Sequence, residues 1–284
     1  MTQDREDVGD LSLNLMLASK LLDRTYRRFN RLRELAVVTF ASDYGLRKFN
    51  DRTYSEANRY QPNSTGYVSG LYPWEEQALQ QHFPPPPAHV LVGGAGSGRE
   101  PFALADLGYR VTAFEPVLSL VDAMQQQSST KDRVGVACYG GGYEELPYVI
   151  SPADGERIHL SELGPFDAAI VGWGSFSHIC DERQRQTTLR HFGELTSGPI
   201  LLSFTSTRDD GELRTSKIRS MLLKRKHRHP ADRFSISMGF QHPVSEHEVN
   251  ELASQAGLAV LKIDFSHTSL APHAVLQRAT TQSD

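Results

Sequence analysis

Residues 90–116 read VLVGGAGSGREPFALADLGYRVTAFEP. A short apolar run passes into Gly94-Ala95-Gly96-Ser97-Gly98, a helix-compatible stretch follows at once, and a second apolar run ends in Glu115. Glycines let a backbone turn sharply and come close to a ligand. The N–H groups of the loop and of the following helix start suit a polar or anionic group. An acid at the end of the second strand can accept the hydroxyls of a ribose. The pairing of loop and acid describes a ligand that carries a nucleoside. A dinucleotide fingerprint needs G-x-G-x-x-G, whereas here the third glycine comes one residue early and position 99 is Arg. The GK[ST] of a P-loop is absent.

Outward from this segment the apolar runs recur at 134–140 (VGVACYG), 166–172 (FDAAIVG) and 198–204 (GPILLSF), with helix-compatible stretches such as 181–196 between them. That alternation indicates a parallel sheet of βαβ units. Near the C-terminus, residues 245–257 form an amphipathic pattern, with Ser245 and Glu248 spaced as a capping box and Gly257 as the stop. LAVLKID and AVLQRA then follow with no helix between them, so they are expected to pair antiparallel.

The chain has 284 residues, 39% hydrophobic and 23% charged, with a formal net charge of −4. A packed core is within reach and wholesale disorder is excluded. No apolar run approaches the roughly 20 residues that span a bilayer, and MTQDREDVGD is not a signal peptide. The two cysteines, Cys138 and Cys180, exclude a disulfide scaffold or a cysteine-rich zinc site. A soluble cytoplasmic protein is the expectation, with no membrane partner. Residues 11–50 are patterned as helix and crowded with Arg24, Arg27, Arg28, Arg31 and Arg33. A Tyr-rich stretch follows, then a helix over 74–82, then Pro84 to Pro87. We read 1–75 as a helical cap and 76–284 as the core, with a basic insertion at 208–240.

The G-x-G-x-G loop, the acid after the second strand and the terminal hairpin resemble the class I S-adenosylmethionine-dependent methyltransferases over roughly residues 75–279. The resemblance implies a three-layer α/β sandwich, its mostly parallel seven-stranded sheet ending in an antiparallel β-hairpin, with an N-terminal helical lid. It implies S-adenosylmethionine as cofactor and S-adenosylhomocysteine as product. Gly94, Ala95, Gly96 and Gly98 would lie beside the methionine part, Glu115 would hold the ribose, and Pro116 and Val117 would lie near the adenine. Tyr143 or Glu144 would approach the adenine amino group, and Gly172 and Trp173 the sulfonium. Arg59 would pair with the methionine carboxylate. One departure stands out: many members carry an acid two residues before the first loop glycine, and here that position is Val92.

Methyl transfer needs a base only if the nucleophile carries a proton. His178, six residues past Gly172, and His242, before the last helix, are the candidates. His267 and His273 are read as structural. Tyr60, Tyr67 and Tyr72 are expected to line the acceptor site. The fourth strand end lacks the [DN]PP[YF] of exocyclic-amine enzymes of nucleic acid, and no carboxylate there would hold magnesium. Asp209 and Asp210, after the fifth strand, could bind a cation in principle, and a turn is the expected reading. The insertion carries Arg214, Lys217, Arg219, Lys224, Arg225, Lys226, Arg228 and Arg233. Such a run is either a solvated face or a capture surface for an anion, among which nucleic acid ranks below a small acidic molecule. The expected activity is methylation of an oxygen or nitrogen of a small, in one reading acidic, metabolite or natural-product intermediate. Methylation of a carrier-bound or other macromolecular substrate and a non-catalytic cofactor-binding subunit are the alternatives. Either a monomer or a homodimer fits.

Overall fold

The computed structural model of the chain describes residues 3–57, 60–62, 64, 69–130, 135–206, 217–225, 228–266 and 271–279. Three helices open it: α1 (Gln3–Phe40), α2 (Asp43–Glu56) and α3 (Pro73–His82). There follow β1 (His89–Gly93), α4 (Arg99–Asp106), β2 (Arg110–Glu115), α5 (Leu118–Thr130) and β3 (Val136–Gly140). Next come β4 (Tyr148–Ile150), β5 (Arg157–His159), α6 (Leu160–Leu163), β6 (Ala168–Val171), a 3-10 turn (Ser175–His178), α7 (Glu182–Leu195) and β7 (Ile200–Ser203). The insertion supplies α8 (Lys217–Arg225), β8 (Arg233–Ser235) and β9 (Gly239–Gln241). The chain closes with α9 (Glu246–Gln255), β10 (Leu258–Asp264) and β11 (His273–Arg278).

Among the described residues the main sheet has nine strands in the order β10-β11-β7-β6-β1-β2-β3-β4-β5. The five inner strands β7, β6, β1, β2 and β3 are parallel. β11 lies antiparallel between β7 and β10, which is the expected terminal hairpin. The two strands beyond the expected seven are β4 and β5, antiparallel additions of three residues each. Runs that short carry too little alternation to be read from sequence.

Period-two alternation explains the layers. In β1, Leu91 packs into one buried cluster while Val90 and Val92 pack into another. β6 divides likewise, with Ala169 and Val171 on one side and Ala168 and Ile170 on the other. A sheet apolar on both faces needs cover on both. Leu189, Phe192, Val249 and Leu252 from α7 and α9 cover one face, and Trp74, Leu79, Phe102 and Met124 from α3, α4 and α5 cover the other. The boundary expected between residues 75 and 76 falls inside α3, whose Trp74 also stacks on His273 of β11 at 4.7 Å. A third, smaller cluster joins the two segments outside the sheet: Val38 and Leu46 of α1 and α2 meet Leu223, Phe234 and Phe240 of the insertion.

Ser245 caps α9 as expected, accepting from Glu248 N at 3.2 Å. The reciprocal half of the capping box is not formed, because the Glu248 carboxylate turns to His242 at 2.8 Å. Arg99, the residue that breaks the dinucleotide pattern, staples α3 to the glycine loop. Its guanidinium forks onto both oxygens of Glu75 at 2.7 Å, takes Glu100 at 2.7 Å, and donates to Gly70 O at 3.0 Å. Glu75 is fully buried. Breaking a buried pair strands the remaining charge. Arg99→Met is therefore expected to lower unfolding stability by about 3–5 kcal/mol in urea titration; a loss below about 1 kcal/mol, typical of an exposed pair, would rule out the staple.

Candidate functional site

The order of the sheet reverses between β1 and β6, so the loops leaving their C-terminal ends diverge and open a crevice. The first loop enters it through Gly94 at φ 63° and Gly96 at φ 57°, a region that side chains rarely adopt. A Cβ at Gly94 would stand 2.8 Å from Ser175 and from the Tyr143 hydroxyl, whereas one at Gly96 would meet only open space. The second loop starts at Gly172, where a Cβ would fall 2.5 Å from Gly94 O. Gly98 at φ 100° begins α4, and a Cβ there would strike the Phe102 ring at 2.5 Å.

Glu115 lies across this loop. Its two carboxylate oxygens accept from Gly96 N at 2.9 Å and Val117 N at 3.1 Å. Burial nevertheless outweighs both donors and pushes the carboxyl up to about 7. The Tyr143 hydroxyl donates to Ser175 Oγ at 2.6 Å, which donates in turn to Gly172 O at 2.8 Å. This chain ties the segment after β3 to the loop after β6.

These groups line a cavity of about 360 Å³, within the range of small-molecule sites. Gly94, Gly96, Glu115, Pro116, Val117 and Leu120 form one end, and Tyr143, Glu144, Trp173, Ser175 and His178 continue the wall. The roof is α2, which contributes Asp43, Arg47, Asn50, Asp51 and Tyr54, followed by Tyr60. Their spacing of four, three, one and three residues marks one face of a helix. Arg47 pins that helix to Glu144 at 3.0 Å. Asn50 pins it to the insertion: its Oδ1 accepts from Phe240 N at 2.8 Å, and its Nδ2 donates to Phe240 O at 3.3 Å.

His178 hangs between the roof and the insertion. Its Nδ1 lies 2.7 Å from the Phe240 carbonyl, which can only accept, and 3.2 Å from Asn50 Nδ2, which can only donate; a proton on Nδ1 satisfies the shorter contact. In that tautomer Nε2 accepts from the Tyr54 hydroxyl at 2.5 Å. The Tyr54 ring also packs on Tyr60 and on His178, at centroid separations of 4.9 and 5.0 Å. Cys180 reaches the same cavity, but burial pushes its thiol up to about 12, as it does that of Cys138 in β3.

Of the residues expected at the site, Gly94, Gly96, Glu115, Pro116, Tyr143, Glu144, Trp173, His178 and Tyr60 line the cavity. Ala95, Gly98 and Gly172 shape the loops behind it. Tyr72 is a correction: it caps α3, packs on Trp173 at 5.9 Å and lies under the Arg99 guanidinium, away from the cavity wall. Arg59 and Tyr67 lie outside the described residues. Asp43, Arg47, Asn50, Asp51 and Tyr54 escaped the sequence reading, although their common helical face was the signal.

His242 is the second correction. It is fully buried, with Nδ1 at 2.7 Å from Asp232 and Nε2 at 2.8 Å from Glu248, so neither nitrogen is available to a substrate. His229, Asp232 and His242 bring three potential metal-ligating atoms within 4.8 Å of one another. Both Asp232 oxygens are engaged, one by His242 and one by His229 N at 2.9 Å. The insertion is also less open than its charge suggests. Arg228 is buried and donates to Val38 O, Ala41 O and Cys180 O, and Arg219 bonds Glu34 and Asp232 O. Asp209, Asp210, Arg214, Lys226 and His267, and the side chains of Lys217 and Arg225, lie outside the described residues. His273 is buried under Trp74, the structural place expected of it.

Burial by itself would lower His242, but the Asp232 and Glu248 carboxylates more than offset it and raise the imidazole above its ordinary value. A histidine raised in the folded state stabilises below the unfolded value of about 6.5, and that contribution is lost as pH climbs through the folded value. The stability deficit of His242→Gln, from denaturant titration, is therefore expected to shrink as pH rises above about 6.5. A deficit that grows with pH would show that the cluster holds a neutral ring.

No protein-family model matches the sequence, and no curated protein matches it. Among solved structures the chain is similar to the PH0226 protein from Pyrococcus horikoshii, with TM-score 0.58, 14% identity, and coverage of 80% of this chain and 99% of that one. It is similar to a SAM-dependent methyltransferase from Methanosarcina mazei, with TM-score 0.52, 14% identity, and coverage of 74% and 98%. It is similar also to the CcbJ methyltransferase from Streptomyces caelestis, with TM-score 0.52, 15% identity, and coverage of 82% and 98%. The parallel sheet, the glycine loop at its switch point and the antiparallel terminal hairpin give this chain the fold of the class I S-adenosylmethionine-dependent methyltransferases.

Proposed function

We propose that the chain transfers the methyl group of S-adenosylmethionine to the hydroxyl oxygen of a small, uncharged acceptor. The observation that carries this reading is one cavity lined both by the Gly96–Glu115 pairing and by the Tyr54–His178 pair. Helix α2 closes over that cavity, braced from behind by α1 and the insertion.

Glu115 accepts the ribose hydroxyls, and the open space at Gly96 admits the ligand where any side chain would fill it. Tyr143 and Glu144 border the adenine end, and Gly94, Gly172 and Trp173 the methionine end. The sulfonium, when bound, supplies an electrophilic methyl and a neutral thioether leaving group. Trp173 and Tyr60 hold the acceptor in line, and α2 keeps water out, so positioning provides much of the rate. The acceptor hydroxyl donates to Tyr54 Oη, whose own proton passes to His178 Nε2. The acceptor O–H bond is exchanged for O–CH3, and the proton ends on an imidazolium still anchored by Phe240 O. His242 takes no part.

The lining favours a neutral acceptor over the acidic one considered first. Among the described residues it holds the carboxylates of Asp43, Asp51, Glu115, Glu144 and Asp181 and one cation, Arg47, already paired with Glu144. An anion would find little compensation there. Arg219 and Arg228 are committed to internal bonds, so those two do not support capture of a macromolecule through the insertion. A carrier-bound or other macromolecular substrate and a subunit that binds the cofactor without turnover are the alternatives.

Ionised Glu115 accepts two hydroxyls, and its protonated form does not. Affinity for S-adenosylhomocysteine by titration calorimetry is therefore expected to rise as pH climbs through about 7. Glu115→Gln should flatten that dependence and weaken binding by about 1–3 kcal/mol; an unchanged affinity would remove Glu115 from the site. In a labelled-methyl screen over phenols, alcohols, amines and carboxylic acids, turnover is expected with hydroxyl acceptors. His178→Ala should then lower kcat by about 10²–10⁴, and Tyr54→Phe should lower kcat and alter its pH profile while leaving cofactor affinity in place. Cofactor binding without turnover on any acceptor would favour the non-catalytic alternative.

A further inference from the structure

Helix α1 is longer than the body of the protein requires. Its last turns pack on the insertion, through Leu35, Val37 and Val38, but every described side chain from 13 to 29 stands in water. That arm is not polar. Nine large apolar side chains between Leu13 and Leu32 are 53 to 70% exposed. A helix in water owes most of its stability to packing of its apolar face, and an exposed apolar patch of this extent marks a contact surface. Leu15, Leu22 and Phe29 recur every seven residues, with Ala18, Thr25 and Leu32 between them at the alternate three- and four-residue steps. That is the seam of a coiled coil.

The charge pattern says what covers the seam. Residues 4–10 of the sequence (DREDVGD) hold four acids and one arginine, residues 11–22 (LSLNLMLASKLL) are mostly apolar, and residues 24–33 (RTYRRFNRLR) hold five arginines. We infer that α1 pairs antiparallel with α1 of a second copy of this chain, about a two-fold axis near residue 18. In that arrangement the apolar stretch faces itself, and the acidic stretch of each helix lies along the basic stretch of the other. A two-fold contact is isologous, so the surface must complement itself, and this helix does. An anionic bilayer would attract the arginines but repel the acidic stretch. A parallel pair would set arginine against arginine. The antiparallel pair also places the two bodies at opposite ends of the paired helices, where they do not collide. The inference does not depend on the reading of the cavity.

The full chain in sedimentation equilibrium is expected to be a dimer. Leu15→Asp, Leu22→Asp and Phe29→Asp in one variant should make it monomeric with its thermal melt of the body unchanged, because these positions touch nothing in the monomer's core. Orientation is read from disulfide trapping. Ala18→Cys is expected to cross-link to its own copy across the axis, and Thr25→Cys is not, since an antiparallel pair separates the two copies of residue 25 by roughly 21 Å. The native thiols, Cys138 and Cys180, are buried. A monomeric wild type, a dimer indifferent to the triple substitution, or equal cross-linking at both positions overturns the proposal. A monomer that co-sediments with phosphatidylserine vesicles overturns it in favour of a membrane surface.

Discussion

At the centre of the molecule two strands come so close that no side chain fits between the loops leaving them. Gly172 N donates to Gly93 O at 2.8 Å, and a Cβ at Gly172 would fall 2.5 Å from Gly94 O. The switch point of the sheet is therefore lined by backbone rather than by side chains. Everything around the cavity takes its position from this contact. Glu115 reaches across to Gly96 N because β2 runs beside β1 in register, with Gly93 opposite Phe114. Tyr143 and Ser175 close the other side through their hydroxyl chain. Arg99 then holds α3 and the start of α4 against the same loop, so the crevice is built on rigid elements.

The cavity needs a roof, and that roof is α2, held in place by the insertion. Helix α2 and the insertion meet in a small cluster of their own around Leu46 and Phe240. Asn50 joins them by taking both backbone groups of Phe240, and the Phe240 carbonyl and Asn50 Nδ2 both meet His178 Nδ1. The base candidate thus owes its orientation to residues 50 and 240, remote from each other and from residue 178 in the chain. Two of the insertion's arginines, Arg219 and Arg228, are engaged in the same joint. Arg228 lies buried among the carbonyls of Val38, Ala41 and Cys180, where an unpartnered guanidinium would be costly. The buried pairing of His242 with Asp232 and Glu248 links the insertion to α9.

The legible parts of the sequence were those with local causes. Gly94, Gly96, Glu115 and the βαβ alternation follow from backbone geometry and period-two burial, which act within a few residues. The terminal hairpin follows from the absence of a helix between two apolar runs. β4 and β5 were not legible, because three-residue strands gain their order from the edge of a sheet already built. His178 and His242 looked alike as sequence. Their difference is burial: one lines a cavity in contact with Tyr54, and the other is enclosed by two carboxylates. Tyr72 shows the same limit, since its ring is claimed by Arg99 and Trp173, neither of which is a sequence neighbour.

The sequence by itself determined the α/β sheet, the glycine loop at its centre and the acid that answers it. It did so because φ preferences, strand periodicity and motif spacing are local properties. Only the tertiary structure decided which polar side chains share the cavity, that α2 is its roof, and that the arginines at 219 and 228 serve as internal ties rather than as a capture surface. Those outcomes depend on long-range packing and desolvation, through which residues distant in the chain set each other's burial, partners and charge.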